Sequence, residues 1–194
     1  MQVRSTWRGH SRGGSVVLEV ALKEPSLVRR LILVDPNPIV DESGGFGASL
    51  QQNPKATEPA AGGGALAKSV LDRFQLGDMD GGLEIFIDRV GGPGSWKNLP
   101  EARRQSLRDN AWTIKGTDKD QRRPVSCAQL GQLKIPVLLL NGDKSPTRFG
   151  AILNVIEPCI KNRVRVTIPN ASHGLNRENP AAFNSAVIQF LSTH

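Results

Sequence analysis

Three short apolar segments predict β-strands buried in a parallel sheet. Residues 31–34 read Leu-Ile-Leu-Val and end at Asp35, and residues 135–140 contain one proline among apolar residues and end at an Asn-Gly-Asp turn. Residues 164–168 alternate polar and apolar side chains before a Pro-Asn turn. Runs of this length that stop at turn residues are typical of strands covered on both faces.

Helical patterns separate these strands. Residues 14–23, 149–159 and 180–191 carry apolar side chains at helical spacing. The last of them has a favourable N-terminus, because Asn179 is a preferred N-cap residue and proline, here Pro180, is preferred at the first helical position. Strands that alternate with helices predict an α/β fold with a parallel sheet.

Residues 37–132 interrupt this alternation. A loop rich in Pro, Gly and Ala (37–64) precedes helical periodicity at 66–74, 83–90 and 100–114. We therefore predict a sheet core formed by residues 1–36 and 133–194, with residues 37–132 inserted as a helical cap.

Composition narrows the choice of function. The 194 residues carry 25 Lys and Arg against 18 Asp and Glu, for a net charge of +7. These cations are scattered rather than clustered on a stripe, so a nucleic-acid partner is not expected. The N-terminus has no apolar run, which predicts neither a signal peptide nor a membrane association. Cys127 and Cys159 have no metal-ligand spacing and are predicted to be reduced, in a cytoplasmic protein.

A G-x-S-x-G motif occupies positions 9–13, Gly9-His10-Ser11-Arg12-Gly13. This motif places a serine on a sharp strand-to-helix turn, the nucleophile elbow, where small neighbours relieve the crowded backbone. It predicts Ser11 as a nucleophile, with the backbone N–H of Arg12 as an oxyanion donor at a helix N-terminus.

His173 is the predicted general base. It lies in Ala171-Ser172-His173-Gly174, between the last predicted strand and the last predicted helix. The other two histidines lack such a context, since His10 is the variable residue of the motif and His194 is the last residue.

Together these segments resemble the α/β-hydrolase superfamily. The resemblance rests on the motif at 9–14, on residues 31–36 and 135–143, and on Ala171-Ser172-His173-Gly174 with the helix that follows. It implies a partial α/β-hydrolase sheet flanked by helices, with the helical insertion in the place of the family's cap. It implies a small-molecule substrate. It implies neither a metal nor an organic cofactor.

The sequence leaves open which carboxylate completes a catalytic triad with Ser11 and His173. The family's common position for it corresponds to Ser145, while Asp143 lies two residues earlier. Other members carry the acid directly after the strand that follows the elbow helix, which is Asp35 here. Asp35 is the favoured acid and Asp143 the alternative, and either would orient the imidazole of His173.

The resemblance also implies a reaction, two-step acyl transfer through an acyl-enzyme on Ser11. An ester or a similar acyl bond is the expected substrate. Candidate pocket residues are His10 and four aromatic side chains of the insertion, Phe74, Phe86, Trp96 and Trp112.

The motif begins earlier in this chain than in a complete α/β-hydrolase. Residues 1–8 are polar for a strand that leads into the elbow, and the family's early strands and second oxyanion loop are not recognised. The alternatives are therefore an inactive, truncated α/β-hydrolase or a non-enzymatic basic binding protein. An exposed sheet edge would also favour self-association.

Overall fold

The computed structural model describes residues 4–57, 64–119 and 122–194. The chain divides into two compact units. The sheet unit comprises Met1–Glu58 and Arg122–His194, and the helical unit comprises Pro59–Gln121.

The sheet unit contains four parallel strands in the order β1-β2-β3-β4. Their bounds are β1 (Ser5–His10), β2 (Val28–Val34), β3 (Val137–Gly142) and β4 (Arg163–Ile168). The three predicted strands are thus β2, β3 and β4.

Helices separate the four strands and follow the last of them, as the predicted α/β alternation requires. In chain order they are α1 (Arg12–Lys23), α2 (Ala48–Gln52), α3 (Gly64–Gln75), α4 (Met79–Gly91), α5 (Glu101–Asp109), α6 (Cys127–Leu130), α7 (Thr147–Ile156), α8 (Leu175–Glu178) and α9 (Pro180–Thr193). Short 3-10 helices cover Pro25–Leu27, Pro54–Thr57, Ala111–Lys119 and Glu157–Cys159.

Both faces of the sheet are covered, which explains the continuous apolar runs of the central strands. Leu31 and Leu33 of β2 belong to the same buried cluster as residues of α1 and α7. Ile32 and Val34 point the other way, into a cluster that includes two phenylalanines of α9. Alternate residues of a strand face opposite sides of the sheet, so both sides must be apolar here.

β1 pairs only with β2 among the described strands and lies at an edge of the sheet. Ser5, Thr6 and Arg8 are exposed, and Trp7 is 36% exposed. The polar sequence that seemed unsuited to a strand before the elbow therefore does form one, because an edge strand tolerates polar side chains.

The helical unit is shorter than the predicted insertion of residues 37–132. Residues before Glu58 and after Arg122 pack with the sheet instead. Val40 forms a parallel bridge with Val125, and both are buried in the cluster on the α1 face of the sheet. The backbone at Val40 is thus paired with that at Val125. The loop-like composition of residues 37–64 did not indicate this pairing.

The prediction of two reduced cysteines is wrong for this structure, in which Cys127 and Cys159 form a disulfide. The two residues are 32 positions apart, and their Cα atoms lie 5.2 Å from each other. α6 precedes β3 and the 3-10 helix at 157–159 follows α7, and both pack on the same face of the sheet. That proximity is tertiary, so the spacing along the chain gave no sign of it.

Within the described part of the chain, no helix is long and apolar enough to span a bilayer.

Candidate active site

Ser11 occupies a sharp turn between β1 and α1. Its φ of 53° lies in the left-handed region, which is unusual for a residue with a side chain and typical of functional turns. The backbone N–H of Ser11 donates to the carbonyl of Val34 at 2.9 Å, which fixes the turn against β2. Arg12 is the first residue of α1, the position whose N–H points beyond the helix N-terminus.

The glycines around Ser11 have unequal roles. A Cβ on Gly9 would overlap the carbonyl oxygen of Gly13 and the side chain of Val17. A Cβ on Gly14 would approach Pro36 to 3.0 Å. A Cβ on Gly13 would have open space around it. Close packing therefore requires a glycine at positions 9 and 14 but not at position 13.

His173 and Asp35 form a buried pair. Their Nδ1 and Oδ2 atoms are 3.1 Å apart, and the two residues are 7% and 0% exposed. Because a carboxylate only accepts hydrogen bonds, Nδ1 of His173 is the donor in this contact. Asp35 has a φ of 38°, and its N–H donates to the carbonyl of Leu140 at 2.7 Å. The backbone thus holds the carboxylate directly after β2.

Ser145 also binds this carboxylate. Its hydroxyl donates to Oδ2 of Asp35 at 2.6 Å, so this oxygen accepts hydrogen bonds from both Ser145 and His173. The other oxygen, Oδ1, is buried and has no hydrogen-bond partner among the described residues. In the sequence, Ser145 stands out only as the position where the family's common acid is absent, and its contact with Asp35 exists only in the folded chain.

Asp143 lies elsewhere and does not form this contact. It is exposed, and its Oδ1 accepts the N–H of Ala171 at 3.0 Å. Hydrogen bonds from the backbone of Asn170 and Ala171 lower the pKa of this carboxyl. The carboxylate therefore ties the turn after β4 to the end of β3.

The imidazole of His173 is held between two rings. Phe149 stacks on it with centroids 4.2 Å apart and planes inclined by 15°. His10 lies 4.4 Å away, and its Nε2–H donates to the carbonyl of His173 at 2.8 Å. Burial, and then the charge of His173, lower the pKa of His10 to about 4. A neutral His10 beside Ser11 is therefore part of the structure around the predicted base, and Phe149 is a contact that the sequence did not suggest.

The four aromatic residues proposed for the substrate pocket belong to the helical unit. Trp96 is buried in the core of that unit, and Phe74 and Phe86 pack against the same core. Trp112 is 69% exposed. Three of the four thus pack in or against the core of their own unit.

No group of three His, Cys, Asp or Glu side chains that could hold a metal ion is found within residues 4–57, 64–119 and 122–194. The chemistry available at the end of the sheet is that of Ser11, His173 and Asp35, at the carboxyl ends of parallel strands where α/β folds bind their ligands.

Comparison with known proteins identifies the family and the fold. Residues 9–186 match the model of the alpha/beta hydrolase family. The match covers most of the chain, and the chain therefore belongs to the alpha/beta hydrolase family.

Among individual relatives, mouse sn-1-specific diacylglycerol lipase ABHD11 is 29% identical over an alignment of 191 residues, and the alignment covers 95% of this chain and 58% of the mouse protein. The chain thus spans less than two thirds of that protein.

Solved structures show the same fold. The esterase RhEst1 from Rhodococcus sp. ECU1013 has a TM-score of 0.68 at 20% identity, over 97% of this chain and 65% of that one. The bromoperoxidase from Bacillus anthracis has a TM-score of 0.67 at 19% identity, over 98% of this chain and 68% of that one.

Proposed function

We propose that this chain hydrolyses a carboxylic ester through an acyl-enzyme on Ser11. The observation that carries the proposal is the hydrogen bond between Nδ1 of His173 and Oδ2 of Asp35, on the loops next to a strained Ser11 turn. In a serine hydrolase this bond orients the imidazole and stabilises the imidazolium that forms during the reaction.

Acylation begins when Ser11 Oγ attacks the carbonyl carbon of the ester. Its proton passes to the Nε2 lone pair of His173, and the N–H of Arg12 donates to the developing oxyanion. The intermediate collapses, and the leaving alkoxide takes the proton from Nε2. Water then hydrolyses the acyl-enzyme with His173 again as the base, which returns Ser11 to its starting state.

Lipid esters and simple esters are both candidate substrates. The mouse relative is named as a diacylglycerol lipase and the Rhodococcus structure as an esterase. We therefore propose p-nitrophenyl butyrate and a dispersed diacylglycerol as the first two substrates to compare.

The test measures turnover of both esters and the rate at which a fluorophosphonate probe labels Ser11. We expect turnover and labelling in the natural chain and neither in Ser11→Ala. The matched control is Ser43→Ala, because Ser43 is an exposed serine whose hydroxyl donates to Asp41.

A folded chain that neither turns over these esters nor reacts with the probe would contradict the proposal. That result would leave the inactive α/β-hydrolase as the better explanation. Salt-sensitive retention on DNA that persists in Ser11→Ala would instead favour a basic binding protein.

A further inference from the structure

Phe149 is a buried aromatic residue that lies outside the apolar core. Its side chain is 3% exposed and belongs to the first turn of α7. Later residues of α7, such as Ile152 and Leu153, belong to the buried cluster on the α1 face of the sheet. Phe149 belongs to none of the three buried apolar clusters among the described residues. Core packing therefore does not account for a phenylalanine at this position.

The ring of Phe149 packs on the imidazole of His173 instead. The two centroids are 4.2 Å apart and the planes are inclined by 15°, so the phenyl ring covers one face of the imidazole. The χ2 torsion of a histidine is broad, and an imidazole that is not packed against a neighbour rotates about it. A ring stacked on one face restricts this rotation, and such aromatic pairs stabilise beyond the area that they bury.

The segment that carries Phe149 also holds the carboxylate partner of His173. Ser145 lies four residues before Phe149, and its hydroxyl donates to Oδ2 of Asp35 at 2.6 Å. The N–H of Phe149 donates to the carbonyl of Pro146 at 2.9 Å, which closes the turn between them. One short segment thus contacts both members of the buried pair, the carboxylate through Ser145 and the imidazole through Phe149.

The two contacts of the imidazole constrain different parts of it. The hydrogen bond of 3.1 Å from Nδ1 to Oδ2 of Asp35 holds one atom of the ring, and the ring is still able to tilt about that atom. The stacked ring of Phe149 holds the plane. Orientation matters for a general base, because a misplacement of about 1 Å is able to cost roughly 10²-fold in rate.

We propose that Phe149 is a positioning residue that holds the plane of the His173 imidazole while Asp35 holds its Nδ1. The inference rests on the ester hydrolysis proposed above, in which His173 is the base. Phe149 acts through the imidazole, so its loss should lower kcat and leave KM nearly unchanged.

The test compares three substitutions at position 149 with one elsewhere. Phe149→Leu removes the ring, Phe149→Met fills the space with a flexible side chain, and Phe149→Tyr keeps a ring. Phe190→Leu is the matched control, because Phe190 is also 3% exposed and its ring centroid lies 4.8 Å from that of a different histidine, His194. The control thus loses the same groups and a comparable ring contact.

Turnover of p-nitrophenyl butyrate is the first measurement. We expect Phe149→Leu and Phe149→Met to lower kcat by about three- to tenfold, as the loss of one aromatic pair predicts, with KM changed by less than about twofold. Phe149→Tyr should recover most of kcat, and Phe190→Leu should match the natural chain. Thermal melting shows whether each variant is folded, and Phe149→Met keeps the test decisive if Phe149→Leu is not.

The second measurement does not need turnover. The Nδ1–H of His173 is observed by NMR in a chain labelled with ¹⁵N-histidine and is assigned with His173→Gln. We expect this N–H to exchange with water faster in Phe149→Leu than in the natural chain or in Phe190→Leu, because a tilted imidazole loses its hydrogen bond to Asp35. A natural chain without esterase activity would contradict the proposed function, whereas this exchange rate would still decide the role of Phe149.

Three results would overturn the inference. The first is a folded Phe149→Leu or Phe149→Met chain with the natural kcat and the natural exchange of the Nδ1–H. The second is an equal loss of kcat in Phe190→Leu, which would indicate a general effect of a smaller core side chain. The third is a raised KM with an unchanged kcat, which would indicate that Phe149 contacts the substrate instead.

Discussion

The carboxyl ends of β2 and β3 each carry an aspartate, and the two are placed in opposite ways. Asp35 is fully buried, has a positive φ and contacts the imidazole of His173. Asp143 is exposed and accepts hydrogen bonds from the backbone of the turn after β4. One carboxylate faces a titratable side chain and the other faces fixed amides.

The contrast shows that carboxylates at neighbouring strand ends have different roles: one holds a loop in place, and the other contacts an imidazole. At β3 the backbone amides keep a loop in place, a task that needs no buried charge. At β2 the carboxylate is removed from water and is held by Ser145 and His173 together. A buried anion is tolerated only when such partners stabilise it.

The sharpest test of this comparison exchanges each carboxylate for an amide. Asp35→Asn should lower kcat for p-nitrophenyl butyrate by about 10⁴-fold, because the amide favours the wrong tautomer of the imidazole. Asp143→Asn should lose less than about tenfold, since its task is structural. A larger loss in Asp143→Asn than in Asp35→Asn would reverse the assignment.

Removal of the hydroxyl of Ser145 tests its contact with Asp35. Ser145→Ala should lower kcat by about tenfold with little change in KM, which is the effect expected for one charge-assisted hydrogen bond. Ser145→Thr keeps the hydroxyl and should recover most of the rate. In an Asp35→Asn background, Ser145→Ala should have almost no further effect, and an additive loss would show that Ser145 acts independently of Asp35.

The pH dependence of stability tests the environment of His10 beside His173. Its pKa is about 4 in the folded chain against an ordinary 6.5, so the unfolded chain binds more protons between these values and stability decreases as pH falls. His10→Gln retains an N–H donor without this titration. The Tm of the natural chain should therefore fall more steeply from pH 6.5 to 4 than that of His10→Gln. Parallel curves would contradict the lowered pKa of His10.

The smallest effect is expected at Asp143. Its pKa is lowered in the folded chain, so its contribution to stability is present above the ordinary range of aspartate and is lost as pH falls through the lowered value. Asp143→Asn should have a slightly lower Tm at pH 7, and this difference should shrink at acidic pH. A difference that grew on acidification would exclude the proposed bonds to the Asn170 and Ala171 amides.

Much of the fold could be predicted from the sequence because β2 and β3 have nearly continuous apolar runs and both faces of the sheet are covered. The start of α9 was equally predictable, since Asn179 is its N-cap and Pro180 its first residue as predicted. β1 was harder to recognise, because an edge strand needs no apolar pattern. The pairing of Val40 with Val125 could not be predicted, because it joins residues that are far apart in sequence.

Local chemistry determined the parts of the candidate site that the sequence could show. The motif at 9–13 requires small residues around Ser11, and the turn residues after each strand identified Asp35, Asp143 and the loop of His173. Tertiary structure decided which carboxylate meets the imidazole, that Ser145 shares its oxygen, and that Phe149 and His10 enclose the ring. It also brought Cys127 and Cys159 together. These contacts depend on distances between separate strands and loops, which packing sets and a linear pattern does not encode.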